Sequence, residues 1–201
     1  MKVAVVTFDG FNELDSFIAL GLINRLGHLG WTAEIASPGA QVRSMNGVAV
    51  TAQQPLEFAN EADVVVFGSG IHTRAIAADG ALLDRLQLDP LRQLIGGQCS
   101  GTLLMARLGL LADMPACTDS TTKPWVVEAG VRVLEEPFHA RGPIATAGGC
   151  LASQYMAAWV MARGAGVAAA RAALRYAAPV GEKDGYVDRL MAVVTPFLPA
   201  A

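Results

Sequence analysis

The chain has 201 residues, of which 53% are hydrophobic and 16% charged, with a formal net charge of −3. That length and apolar content fit a single domain, 1–201, with a sizeable core. Scattered Lys and Arg exclude a basic nucleic-acid surface, and no apolar run is long enough to span a bilayer.

The opening residues, 1–8, read as a strand rather than a signal peptide, and Asp9 and Glu13 follow at once. With three cysteines in the chain, a reducing cytoplasm is the expected setting. Cys-x-x-Cys is absent, and His28, His72 and His139 stand far apart, so neither a metal site nor a cofactor is expected.

In chain order, the Val-rich run 3–8 predicts a strand buried on both faces. Residues 13–29 predict a helix with Leu14, Phe17, Ile18, Leu22 and Leu26 along one side. A second strand is expected over 31–36. Asn46-Gly47 signals a two-residue hairpin between 42–44 and 48–51. Residues 63–67 predict a third buried strand, ending in Gly68-Ser69-Gly70. Asp79 is placed to cap a helix running to 88. A short strand over 145–147 leads into Gly148-Gly149. Helices are then expected over 151–162, 167–177 and 186–195. This alternation predicts a flavodoxin-like α/β three-layer sandwich, a mostly parallel sheet with helices on both faces. Sites in such sheets form at the carboxyl ends of the strands.

The most informative stretch is Leu94-Ile95-Gly96-Gly97-Gln98-Cys99-Ser100-Gly101-Thr102. An apolar run meets a cysteine framed by glycines and leaves through a helical pattern, which is the pattern of a strand, tight turn and helix. Gly97 and Gly101 provide room for a strained residue at the elbow. Cys99 is therefore the expected nucleophile, its thiolate favoured by the helix N-terminus. Asp15 opens the first helix among Leu14, Phe17 and Ile18. It is either a dipole-complementing surface acid or an inward carboxyl that holds a proton for general acid work. The backbone N–H groups of Gly70 and Ser100 are candidates for stabilising developing negative charge. His72 is a candidate base, Lys123 a candidate partner of the thiol, and Trp125 a candidate pocket wall. Cys117 and Cys150 lack the glycine frame and read as structural.

These pieces together resemble the ThiJ/PfpI superfamily, which shares the fold of class I glutamine amidotransferases. The resemblance rests on Phe8-Asp9-Gly10-Phe11 with Leu14-Asp15, on 64–70, and on Gly97-Gln98-Cys99-Ser100-Gly101. It also rests on Thr121-Thr122-Lys123-Pro124 and Ala145-Thr146-Ala147-Gly148-Gly149. Members with peptidase-like or chaperone behaviour carry His directly after the cysteine, where this chain has Ser100. Lys123 stands where the family's Thr-Thr-His stretch brings a His near the thiol. Asp on the first helix, Cys at the elbow and a hydroxyl residue beside it are most similar to isonitrile hydratases. That resemblance implies attack by Cys99 on a small isonitrile, proton relay by Asp15, assistance from Ser100, and a homodimer. Glyoxalase or deglycase chemistry, a cysteine redox sensor, and a ligand-binding module akin to those of some transcription regulators are the alternatives.

Overall fold

The computed structural model describes residues 1–199. Strands β1 (Lys2–Val6), β2 (Thr32–Ser37), β3 (Gln41–Arg43), β4 (Ala49–Thr51), β5 (Gln54–Pro55), β6 (Val64–Phe67), β7 (Leu94–Gln98), β8 (Phe138–Arg141) and β9 (Ile144–Ala147) form two sheets. The larger has the order β5-β2-β1-β6-β7-β9-β8, parallel except for the antiparallel edge pair β8–β9. Helices α1 (Glu13–Ile23), α2 (Phe58–Glu61), α3 (Thr73–Ala78), α4 (Gly80–Leu83), α5 (Gly101–Arg107), α6 (Lys123–Glu128), α7 (Ser153–Ala165), α8 (Val167–Ala177) and α9 (Lys183–Val194) cover its two faces. This is the flavodoxin-like layered sandwich that the alternation of strands and helices predicts.

Strand periodicity divides the core. Along β6, Val64 and Val66 pack with α1, α7, α8 and α9, whereas Val65 and Phe67 point to the opposite cluster beneath α2 to α5. All four are fully buried. Each such side chain contributes on the order of 1.5–3 kcal/mol through burial. The central strands are thus apolar on both faces, as parallel sheets require. Among the described residues, no helix is long and apolar enough to cross a membrane.

Several boundaries depart from the sequence pattern for identifiable reasons. The first helix is α-helical only to Ile23 and tightens into a 3₁₀ segment over Asn24–Leu29. There the Asn24 side chain bonds both the N–H and the carbonyl of Ala33, tying the helix end to β2. The Asp79-capped helix ends at Leu83, not 88. The Asn60 side chain takes the Arg85 carbonyl and the Gln87 N–H, drawing the chain away from the helical path. The hairpin closes through the longer loop 44–48, in which Ser44 Oγ accepts the N–H groups of Asn46 and Val48. Helix α7 starts at Ser153, after a 3₁₀ turn over Cys150–Ala152.

Candidate active site

Strand β7 lies between β6 and β9, so its carboxyl end opens at the middle of the sheet. Cys99 follows it in a turn with φ +46° and leads into α5. A side chain in this left-handed region costs roughly 1–2 kcal/mol. The strain is held from both sides. The Cys99 N–H donates to the Ala147 carbonyl at 2.8 Å, and the Cys99 carbonyl accepts from Thr118 Oγ1 at 2.7 Å. The frame glycine Gly101 is required by close approach. A Cβ there would lie 2.6 Å from the carbonyl oxygens of Phe67 and Gly68.

Three segments converge beside the Cys99 sulfur. Asn12 caps α1 by accepting the Leu14 N–H at 3.0 Å, which fixes Asp15 in the first turn with its side chain turned inward. Asp15 is fully buried. Its Oδ2 accepts a hydrogen bond from Ser69 Oγ, and its Oδ1 accepts one from Ser153 Oγ at 2.9 Å. The donor atoms of Asp15, Cys99 and Cys150 all lie within 4.8 Å of one another. Asn12 Nδ2 donates to Cys150 Sγ at 3.1 Å, so one cap residue orders both the acid helix and a second sulfur.

Burial dominates the electrostatics of this cluster. It raises the Asp15 carboxyl above the ordinary carboxylate range, outweighing the serine hydroxyls that favour the anion. The Cys99 thiol is raised as well, first by burial and then by the Asp15 charge. The expected stabilisation of thiolate by the helix N-terminus is therefore outweighed, because α5 is short and Cys99 is only 3% exposed. Two negative charges in one buried space repel, so thiol and carboxyl share protons as a pair. The same three donor atoms are close enough to hold a metal ion. Metal binding needs deprotonated ligands, whereas burial favours the protonated forms of Asp15 and Cys99.

The other expected residues fall at varying distances from this centre. Ser100 is the N-cap residue of α5. Its Oγ lies 2.8 Å from Thr73 Oγ1 and accepts the Gly70 N–H at 3.1 Å. Gly70 thus spends its N–H on a side chain of the site. His72 is exposed before α3, with its ring over Gly10, where an added Cβ would approach ring Cδ2 to 2.6 Å. Lys123 pairs with Glu135 at the surface. Trp125 sits in α6 under Arg74, whose guanidinium carbon is 5.1 Å from the ring centroid. It lines an outer cleft with Ala77, Leu103 and Arg107, and Cys99 is not part of that cleft.

Sequence reasoning passed over Ser69, Thr73, Ser153 and the role of Cys150. Cys117 is fully buried, and its thiol is pushed up to about 12 by burial. Cys150, read as structural beside it, instead brings its sulfur to the centre. The available signal was position, since Ser69, Cys150 and Ser153 all sit just beyond the carboxyl ends of β6 and β9.

The sequence model of the DJ-1/PfpI family matches residues 1–163. Among solved structures, a ThiJ/PfpI family protein from Pseudomonas syringae superposes with a TM-score of 0.77 at 18% identity, covering 96% of this chain and 87% of that one. Drosophila melanogaster DJ-1beta gives 0.74 at 19%, covering 88% and 96%. An AraC family transcriptional regulator from Pseudomonas putida gives 0.71 at 17%, covering 88% and 99%. At these identities the likeness establishes the fold. No curated protein sequence matches the chain.

Proposed function

Because the chain belongs to the DJ-1/PfpI family, we propose that it is a cysteine-dependent hydratase of small isonitriles, with Cys99 as nucleophile and Asp15 as proton relay. The observation that carries this reading is the Asp15 carboxyl, fully buried and within 4.8 Å of the elbow sulfur. A buried acid beside a buried thiol lets one proton move between them without solvent. Neither position where relatives carry a histidine holds one here, since Ser100 follows the cysteine and Lys123 is engaged by Glu135.

In the proposed reaction, Cys99 Sγ forms a bond to the terminal isonitrile carbon while its proton passes to Asp15. Asp15 then protonates that carbon, giving a thioimidate. Water adds to the same carbon and a proton goes to nitrogen. The carbon–sulfur bond breaks, the sulfur recovers a proton, and an N-substituted formamide leaves. Ser100 is proposed to hold the turn beside Cys99 in place through its contacts with Gly70 and Thr73. Gly70 and His72 are proposed to flank the substrate's approach, whereas Lys123 pairs with Glu135 and Trp125 lines a separate cleft.

The chain is proposed to act as a single domain and as a homodimer. Supporting the dimer, an apolar groove between α1, α7, α8 and α9 includes the exposed side chains Leu151 and Tyr176. The decisive experiment measures formamide formation from cyclohexyl isocyanide. Wild type should turn over and Cys99→Ser should not. No formamide from wild type, or full activity in Cys99→Ser, removes the hydratase assignment.

A further inference from the structure

Cys150 is left without a role in that chemistry, yet it stands where a second thiol has consequences. Cys99 and Cys150 come from the carboxyl ends of the adjacent strands β7 and β9, whose last partners are Gln98 and Ala147. Their sulfurs are within 4.8 Å of each other. A disulfide needs about 2.05 Å. A change of χ1 between staggered wells is the movement that would bring the two sulfurs together. Cys150 is the more exposed of the two: it is half-buried and follows Gly149 at φ +93°, with Asn12 Nδ2 donating to its sulfur and Ser153 Oγ to its carbonyl.

We infer that Cys150 is a resolving thiol for Cys99, so that oxidation by hydroperoxides stops at an intramolecular Cys99–Cys150 disulfide. Cys99 Sγ attacks the distal peroxide oxygen. A sulfur–oxygen bond forms, the oxygen–oxygen bond breaks, and the leaving alkoxide or hydroxide takes the thiol proton by way of Asp15. Cys150 Sγ then attacks the sulfenic sulfur. The sulfur–sulfur bond forms, the sulfur–oxygen bond breaks, and the departing oxygen leaves as water with the Cys150 proton. The two thiols lose two electrons, and the hydroperoxide gains them. Without Cys150, the sulfenic acid would continue to sulfinic acid, which ordinary thiols do not reverse. With it, the oxidised protein is returned to the dithiol by thiol exchange. The inference rests on the juxtaposition of the two sulfurs and stands whether or not isonitriles are substrates.

The test is oxidation of the whole protein with a few equivalents of hydrogen peroxide, followed by intact mass and non-reducing peptide mapping. Wild type should lose two hydrogens, join the Cys99 peptide to the Cys150 peptide within one chain, and recover fully in dithiothreitol. Cys117→Ser should behave the same way. Cys150→Ser and Cys150→Ala should instead collect two oxygens on Cys99 and resist dithiothreitol, with circular dichroism confirming that at least one variant is folded. Sulfinate on Cys99 in wild type with Cys150 still free would overturn the inference. A linkage through Cys117 or only between chains, or no oxidation of either thiol, would do the same. Formamide production is read separately, so loss of the hydratase assignment leaves this outcome independent.

Discussion

Replacing Asp15 with Asn keeps the shape of the side chain and removes its proton chemistry. Asp15 is fully buried and receives hydroxyl hydrogen bonds from Ser69 and Ser153. Asn retains one acceptor, and the second serine can turn to accept from the new amide. At most one net hydrogen bond is lost, about 1 kcal/mol. The pH dependence is more telling. Burial raises the Asp15 pKa from its ordinary 3.8, so the folded protein holds that proton more tightly than the unfolded chain. The resulting stabilisation is complete below the ordinary value and is lost as pH rises through the folded-state value. Asn has no such dependence. The stability of wild type relative to Asp15→Asn should therefore fall as pH rises from 3.8 and level off once the carboxyl is ionised in the folded state. Chemical denaturation of both proteins at several pH values reads this directly. Turnover of cyclohexyl isocyanide should fall about a hundredfold or more, the scale of lost general acid–base help. A stability difference constant across pH would refute the buried, proton-holding carboxyl. Unchanged turnover would refute the relay.

Cys99→Gly should be about 1 kcal/mol more stable than Cys99→Ala, because only glycine adopts the elbow's positive φ without cost; equal melting temperatures would remove the strain argument. Gly101→Ala should destabilise by roughly 1–3 kcal/mol, since its Cβ meets two backbone carbonyls that cannot move aside; thermal unfolding measures this. Limited iodoacetamide labelling at neutral pH should reach half-buried Cys150 before Cys99 and Cys117, with Cys99 gaining reactivity as pH rises; peptide mapping gives the order. Light scattering should give a mass twice that of the single chain, and an aspartate introduced at Leu151 should shift it towards the monomer.

Much of the scaffold is legible in the sequence because burial imposes simple patterns. Residues 3–6 in β1 and Val64–Phe67 in β6 are apolar without interruption, since both faces of a central parallel strand are covered. The end of α8 was legible because Pro179 cannot continue a helix. The elbow was legible because Gly101 cannot carry a side chain against Phe67 and Gly68. Contacts set by strand order were hidden. Nothing in the spacing of Asp15, Ser69 and Ser153 shows that they meet, because the meeting depends on β6, β7 and β9 lying side by side. The edge strand β8 was hidden for another reason: Phe138-His139-Ala140-Arg141 alternates in burial and lacks the continuous apolar run of its neighbours. Lys123 and Trp125 show the limit of reading by local pattern, because Pro124 starts a helix that directs them to Glu135 and Arg74.

The place of β9 has a consequence during synthesis. This strand pairs with β7, yet it is made after a long intervening stretch and brings Cys150 and Ser153 behind it. At about 5–20 residues per second, the stretch from Cys99 to Ser153 takes about 3–10 s to make. For that interval the nascent chain carries Cys99 without the strand that fixes its backbone, without Cys150, and with Asp15 lacking one of its two serine partners. A thiol buried in the finished protein is thus made before the strand that buries it. A chain modified on Cys99 before β9 docks must place a larger group in a space where that residue is only 3% exposed.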